Sequence, residues 1–578
     1  MKLVRFEFEC SRDIPFYAHL CNRFLTRYPD LTVARTATGY VLEQEDDQAG
    51  LERLAEEIAG EFPLSVWLTD SRILVAAERL GTRQPLPISG QFQDYCSHCH
   101  PRFGDNQSPQ FGQLALPCPV CQGETHWLDT QDNTAALLQT LLGGDSVTVG
   151  GAVLSLKARD DSQSLLICNP NMLNPLFQLS AEQTLALSAI EKPAVLGRNK
   201  SPDESLPLAR YRLCFPWNRE LIVLCERLRQ RGITWLALVC LEGEMQRPLV
   251  ARIAGKWSPL TEPRPTPFSP APEPLHDSVQ LAGWQANWRK KVISFSPAPR
   301  GAQDADTLAH CALNAINLEH GMKTLVLDSA PNTAALHFTG DCEGKLVHTD
   351  NQGQVQTFLT LPSLPTRGAE VLSQLMAGEQ AEVTTKFAAR WPEVIARVEQ
   401  FNSGAFAGTL TGLLALCALL LDLDKNGRGL RTMDHRQLAD ALEACAMEIP
   451  GRRAPRIDYP LIKNDSGLTI DWKRTLGSLM AFRLVEPEDA GKIAFGVFDS
   501  LADYLANWIE HLDNKFGICA VGLCGDEMAF ECLAQRLAIR IGKNYPLLAN
   551  HKLPLVGANY AAGALYLKRR RFAARSAE

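Results

Sequence analysis

Two pairs of cysteines constrain this chain more than any other feature. Cys96-Ser-His-Cys99 is followed by 18 residues and then by Cys118-Pro-Val-Cys121. Each CxxC knuckle supplies two thiolates, and two knuckles supply the four that zinc takes in a closed tetrahedral site. Pro101 and Gly123 flank the pairs, as expected near tight turns. A redox dithiol pair is the alternative. One CxxC leaves the question open, whereas two at this spacing favour structural zinc held by Cys96, Cys99, Cys118 and Cys121. His98 and His100 could ligate instead, but the cysteines are the simpler set. A four-sulfur site has no open coordination position, so it staples a fold and does not by itself indicate catalysis.

The rest of the chain is large. Its 578 residues correspond to about three to five domains. Apolar residues make up 46% and charged residues 21%, enough for sizeable cores and against wholesale disorder. Lys and Arg total 58 against 65 Asp and Glu, for a net charge of −7. A general nucleic-acid binder carries a basic excess, so no nucleic-acid partner is expected. The chain has 17 cysteines, and those outside the finger are scattered, many through apolar segments, such as Cys225, Cys240 and Cys417. They read as small buried apolar residues in a reducing compartment. The densest apolar run, Leu413 to Leu421, is far short of the ~20 residues of a membrane span, and Asp422 and Asp424 follow it. The first nine residues alternate polar and apolar and carry early charge. No membrane association and a cytoplasmic location are expected.

Hydrophobic periodicity divides the chain. In residues 1–90, strand-like alternation around Phe6 and Phe8 is followed by a helix over Pro15–Tyr28. Alternation resumes over Thr32–Glu45, then come a helix over Ala49–Glu61 and a strand within Ser65–Ala77. That order is the split βαβ, or ferredoxin-like, pattern. Residues 91–127 hold the cysteines. Residues 128–257 mix strands and helices, including Ser146–Leu156 and Leu221–Gln230. Seven prolines between Pro259 and Pro274 mark 258–284 as an extended linker. Residues 285–578 read mostly as helices, with strands at Leu325–Leu327 and Gly517–Gly522.

The order of parts, with several short motifs, resembles the HypF family, carbamoyltransferases that help mature nickel–iron hydrogenases. Cys118-Pro-Val-Cys121 and the 18-residue gap are similar to that family's fingers, and His100-Pro101-Arg102-Phe103 to its Gly-Pro-Arg-Phe. The family carries two fingers; here there is one. Asn402-Ser403, Thr469-Ile-Asp-Trp472, Leu523-Cys524-Gly525 and Leu555-Val-Gly-Ala-Asn-Tyr-Ala-Ala-Gly563 resemble its C-terminal blocks in register. The resemblance implies a multidomain α/β and α+β fold. Its parts are an acylphosphatase-like domain (1–90), a zinc finger (91–127), a shortened YrdC-like domain (128–257), a Pro-rich linker (258–284) and a TsaD-like, two-lobed ATPase-type domain (285–578).

The resemblance also implies where chemistry should sit. The acylphosphatase-like anion clamp falls on Ile14, with Arg12 as a possible substitute, and the Asn position falls near Arg35. Lys157-x-Arg159 matches a phosphate-binding signature. Two cations at i, i+2 on an extended segment face the same way, although a solvent-facing strand explains them as well. Asp328 and Gly525 fall where ATP contacts are expected, and Asp526 would place negative charge beside a phosphate. The metal-ligand positions of a helical His-x3-His fall on Leu308 and Ala312, neither of which can coordinate; His310 lies between them, and the distant Asp position falls on Gly557. The implied reading is a hydrogenase-maturation protein with impaired or lost catalysis. It would bind a HypE-like partner through the C-terminal domain, with the basic tail Lys568–Arg571 available to an acidic surface. Two alternatives stand beside it. One is an active enzyme that makes carbamoyl-adenylate from ATP and passes the carbamoyl group to a HypE-like thiol. The other is an unrelated zinc-finger binding protein.

Overall fold

In this computed structural model the described residues are 1–567 apart from 89–92, 122–131, 158–162, 241–246, 271, 302–303, 424–433, 449–452 and 465–466. The chain forms two compact units, one of residues 1–201 and 211–250, the other of 202–210 and 251–578.

The first unit opens with β1 (Lys2–Cys10), α1 (Pro15–Arg27), β2 (Thr32–Thr36), β3 (Gly39–Asp46), α2 (Gln48–Glu61) and β4 (Leu68–Val75). The strands form an antiparallel sheet in the order β2-β3-β1-β4, the split βαβ topology expected. Phe6 and Phe8 point inward from alternate positions of β1. Helix α1 starts on Pro15, whose ring suits a first helical position, and buries Phe16, Leu20 and Phe24. Helix α2 is capped by the Asp47 carboxylate, which accepts from the Gly50 N–H.

After the cysteine segment comes a mixed sheet. Ser164–Ile167 lies between the parallel strand Arg210–Cys214 and the antiparallel strand Trp235–Cys240. The latter pairs on its other side with Ala152–Ser155, the partner of Val147–Val149. The Ser146–Leu156 stretch is thus a hairpin, and Gly150 and Gly151 form its turn at φ +58° and +78°. Both are left-handed, as the tightest hairpin turns require. The helix Arg219–Arg229 packs against the helices Thr134–Leu142 and His100–Gly104; Asn218 caps it by accepting from the Leu221 N–H, and Arg227 and Arg229 close its last turn.

The second unit contains a three-stranded antiparallel meander (Ser278–Leu281, Trp284–Arg289, Val292–Pro297) and a seven-stranded mixed sheet. The larger sheet runs in the order Leu461–Asn464, Gly467–Ile470, Val355–Thr360, Cys342–Thr349, Asn332–Thr339, Ile518–Cys524, Leu547–Ala549. Asn332–Thr339 is buried at every position, as a central strand covered on both faces must be. It pairs parallel with Ile518–Cys524, the strand expected near Gly517–Gly522.

One expected strand is absent. Leu325–Leu327 is a turn closed by the Leu327 N–H on the Thr324 carbonyl, and only an isolated bridge joins those two residues. Three apolar residues are too few to hold a strand against the turn formers Asp328, Ser329 and Pro331 that follow. The Pro-rich stretch is extended but anchored within its unit. Phe268 exchanges backbone hydrogen bonds with Ile293, the Leu275 N–H donates to the Leu565 carbonyl, and the Tyr566 hydroxyl donates to the Pro272 carbonyl. Among the described residues no helix is long and apolar enough to cross a membrane. The multidomain α/β and α+β class expected from the sequence is the one observed.

Candidate functional site

The cysteines converge. The four Sγ atoms of Cys96, Cys99, Cys118 and Cys121 lie within 4.8 Å of one another. Cys96 to Cys118 is 3.6 Å, Cys99 to Cys121 is 3.8 Å and Cys96 to Cys99 is 3.9 Å. Four sulfurs at zinc-bonding distance around one tetrahedral ion sit about 3.8 Å apart, so the donor set fits that metal. Cys99, Cys118 and Cys121 are fully buried. The first knuckle leads into the short helix His100–Gly104, where the His100 N–H donates to the Cys96 carbonyl and the Phe103 N–H to the Cys99 carbonyl. Phe103, Leu114 and Leu116 form the apolar floor with Phe16 and Leu20 from α1.

A residue that sequence reasoning did not select completes the finger. Arg219 has no exposed surface. Its guanidinium donates to the carbonyls of Asp94 (2.8 Å), Leu114 (2.8 Å) and Leu116 (2.6 Å), stands 3.9 Å from the Cys99 sulfur and covers the Phe103 ring at 5.1 Å. It ties both halves of the finger to the helix Arg219–Arg229. It also places a positive charge beside a cluster that carries negative charge once metallated. Arg219→Met keeps the bulk and removes every donor. Leaving the buried carbonyls unpaired costs on the order of 3 kcal/mol, and the loss of an outer-shell partner lowers metal affinity ~10–100-fold. A zinc competition titration against a chromophoric chelator checks the second figure and a thermal melt the first.

Beside the finger the same unit contains a cavity of 470 Å³ lined in part by Tyr95, Cys96, His100, Lys192, Trp217 and Arg229. Lys192 sits there in a left-handed conformation (φ +46°), its ammonium 5.4 Å from the centre of the Tyr95 ring. Burial pushes its pKa down to about 8, against the pull of Glu191. Glu61 and Glu226 line the cavity too, and Arg229 is paired with Glu226 at 2.6 Å.

The residues assigned to phosphate and metal are not assembled in this way. Lys157 is exposed in the bend that follows the strand Ala152–Ser155, and Arg159 lies outside the described residues, as does the Lys568–Arg571 tail. In the first domain Arg12 is 8% exposed and stacks on Trp67 at 4.5 Å, so it is neither a solvated charge nor an open clamp. The Ile14 N–H donates to the Tyr40 hydroxyl, and Arg35 pairs with Asp13 at 2.8 Å. Asp328 is exposed in the turn that replaces the expected strand. On the helix Ala305–His320, Leu308 and Ala312 lie in an apolar cluster with Cys311, Ile316, Ala335 and Val347. His310 lies 3.3 Å from the Thr357 hydroxyl, and His320 is 2.8 Å from the Ala549 carbonyl. Gly557 is left-handed (φ +84°), and a Cβ there would lie 2.8 Å from the Trp284 indole nitrogen, so no ligating side chain fits.

Gly525 and Asp526 follow the strand Ile518–Cys524 directly. Gly525 takes φ +90°, and a Cβ would lie 1.9 Å from the Phe338 carbonyl, which excludes any other residue. The Asp526 carboxylate accepts from the Thr339 hydroxyl (2.9 Å), the Gly340 N–H (3.1 Å) and the Arg436 guanidinium (2.7 Å). Burial opposes its ionisation, but Arg436 and these donors outweigh burial and hold its pKa below the ordinary value. Glu527, with no exposed surface, accepts from the N–H groups of Leu410 (3.2 Å) and Thr411 (2.7 Å) at the start of the helix Leu410–Leu420.

These features define a class of protein: a multidomain α/β chain that joins a split-βαβ domain and a four-cysteine finger to a mixed-sheet domain, with a second unit built on a large mixed sheet. The fold is that of HypF. Over 98% of both chains the structure matches full-length HypF in its phosphate- and nucleotide-bound form, with a TM-score of 0.58 at 12% identity. It matches T. kodakarensis HypF over the same shares, with a TM-score of 0.56 and 12% identity. In sequence, 179 residues, 30% of this chain, are 27% identical to Protein HydE of Wolinella succinogenes, and the match spans 31% of that protein's length. No family model matches the chain.

Proposed function

We propose that this chain is a HypF-type hydrogenase-maturation factor that keeps the architecture and a partner-binding role but has lost carbamoyl transfer. The observation that carries the reading is the helix Ala305–His320. The positions at which the resemblance places metal-binding histidines are Leu308 and Ala312, both packed in an apolar core. In this reading residues 1–90 are an acylphosphatase-like relic and 91–127 are the zinc finger held by Cys96, Cys99, Cys118 and Cys121. Residues 128–257 are a shortened YrdC-like domain, and 285–578 are the TsaD-like block that meets a HypE-like protein. Lys157, Arg159, Asp328 and Gly525 are remnants of phosphate and nucleotide contacts. The protein works where maturation factors work, in the cytoplasm.

The test is carbamoyl-phosphate-dependent cleavage of ATP to AMP and pyrophosphate by the purified, zinc-loaded protein. Turnover at the level of a no-enzyme blank is expected. Robust turnover that disappears on replacing Lys157 or Arg159 would overturn the reading. It would restore the active ATP-dependent carbamoyltransferase, which is favoured by the likeness across 98% of both chains to a HypF solved with phosphate and nucleotide. The partner role is tested by co-purification with a HypE-like protein. Recovery with the full chain, and not with a version ending before Pro259, supports docking through the second unit. The same full-length likeness of fold disfavours an unrelated zinc-finger protein.

A further inference from the structure

An open α/β sheet offers ligands a crevice at the carboxyl ends of its parallel strands. In the second unit Asn332–Thr339 and Ile518–Cys524 are such a pair. The groups gathered at their ends are those that bind phosphoryl oxygens elsewhere: the Thr339 hydroxyl, the Gly340 N–H, the Arg436 guanidinium and the N-terminus of an eleven-residue helix. All are already engaged, and by one turn of chain, Asp526-Glu527.

We propose that Asp526 is a tethered anion that holds the place of a phosphoryl group in this crevice, with Glu527 closing the adjacent helix N-terminus. This rests on the reading that nucleotide chemistry has been lost, and it states how: the ligand has been replaced by a side chain. The geometry supports permanent occupancy. Gly525 passes so close to the Phe338 carbonyl that only a glycine fits, so the turn that carries the carboxylate runs tight against the strand Asn332–Thr339. The Gly340 N–H and the Thr339 hydroxyl donate to Asp526 Oδ1 while the Arg436 guanidinium donates to Oδ2, so both carboxylate oxygens are held. The Asp526 side chain is 24% exposed, so the position it fills opens to solvent. An anion could enter there if the carboxylate were removed.

The experiment uses the full chain and inorganic phosphate, with chloride at matched ionic strength as the control. Asp526→Gly is expected to lower the thermal midpoint and to regain stability with phosphate, a saturable rise of about 2–5 °C. The wild type is expected to show no phosphate-specific rise. If Asp526→Gly does not fold, Asp526→Ala empties the same position with less backbone freedom and is expected to show the same response. Adding Arg436→Gln to either variant is expected to abolish it. A phosphate response in the wild type, or none in a folded Asp526 variant, overturns the proposal. ATP cleavage by the wild type would instead overturn the functional reading, so the two failures are separable.

Discussion

Replacing Cys99 with serine is expected to release the metal and unfold the finger. A structural four-sulfur zinc site contributes an apparent binding free energy on the order of 10–16 kcal/mol at neutral pH, and in such small segments that energy is folding energy. Serine presents a harder, weaker oxygen donor in place of one of the four thiolates. Cys99 has no exposed surface and its sulfur also faces Arg219, so neither water nor the nearby histidines can substitute without opening the segment. Elemental analysis should give one zinc per wild-type chain and far less for Cys99→Ser. Limited proteolysis should cut the variant within residues 93–121 under conditions that leave the wild type intact. Cys417→Ser, in a helix of the second unit, is the control and should keep its zinc. A Cys99→Ser protein that retains stoichiometric zinc would remove the assignment.

The contribution of the buried carboxyls Glu527 and Glu443 to the stability of the second unit is expected to decrease as pH rises from about 5 to about 7.5, against the opposite contribution of His337 and His551, whose pKa burial lowers to about 3 and about 4. Burial, with the neighbouring Asp526 charge, pushes the Glu527 carboxyl up from 4.5 to about 7, and the Thr411 N–H only partly offsets this. A carboxyl whose folded-state pKa is raised binds its proton more tightly folded than unfolded. Its stabilising contribution is therefore complete below about 4.5 and is lost as pH passes through about 7. Glu443 moves the same way, to about 7, because burial outweighs the pull of Arg210. The groups facing Glu527 are Asp526 on its own turn and Arg436 on the helix His435–Met447. Over the whole window each buried carboxyl loses on the order of 1–3 kcal/mol of its contribution. From denaturant midpoints at pH 5, 6, 7 and 8, the stability of the wild type relative to Glu527→Gln should fall as pH rises; the variant's amide carbonyl keeps an acceptor for the Thr411 N–H. Parallel curves for the two proteins would show that Glu527 is ionised throughout.

How far the sequence reached can be seen residue by residue. The split βαβ domain was legible because its periodicities switch cleanly from 2 to 3.6 between turn formers. The cysteines were legible because their spacing is itself the chemistry. Leu325–Leu327 misled because short apolar runs look alike whether they enter a strand or close a turn. Leu308 and Ala312 could be seen as replaced ligands only through the resemblance; the structure adds that they are packed in the core. Arg219 carried no signal, since an arginine opening an amphipathic helix looks like any solvated charge until its three carbonyl partners, far away in sequence, are brought to it. Asp526 read as an obstacle to phosphate, and only the fold reveals the donors that tolerate it there.

Arg219 also bears on the timing of synthesis. The carbonyls it holds belong to Asp94, Leu114 and Leu116, which precede it by 125, 105 and 103 residues. A chain leaving the ribosome amino end first exposes both cysteine knuckles well before the side chain that locks them. At typical elongation of roughly 5–20 residues per second that interval lasts about 5–20 seconds. During it the nascent segment holds four reactive thiols on an unfinished scaffold. Early metal capture by the knuckles would shield those thiols until the late-arriving arginine seals the finger.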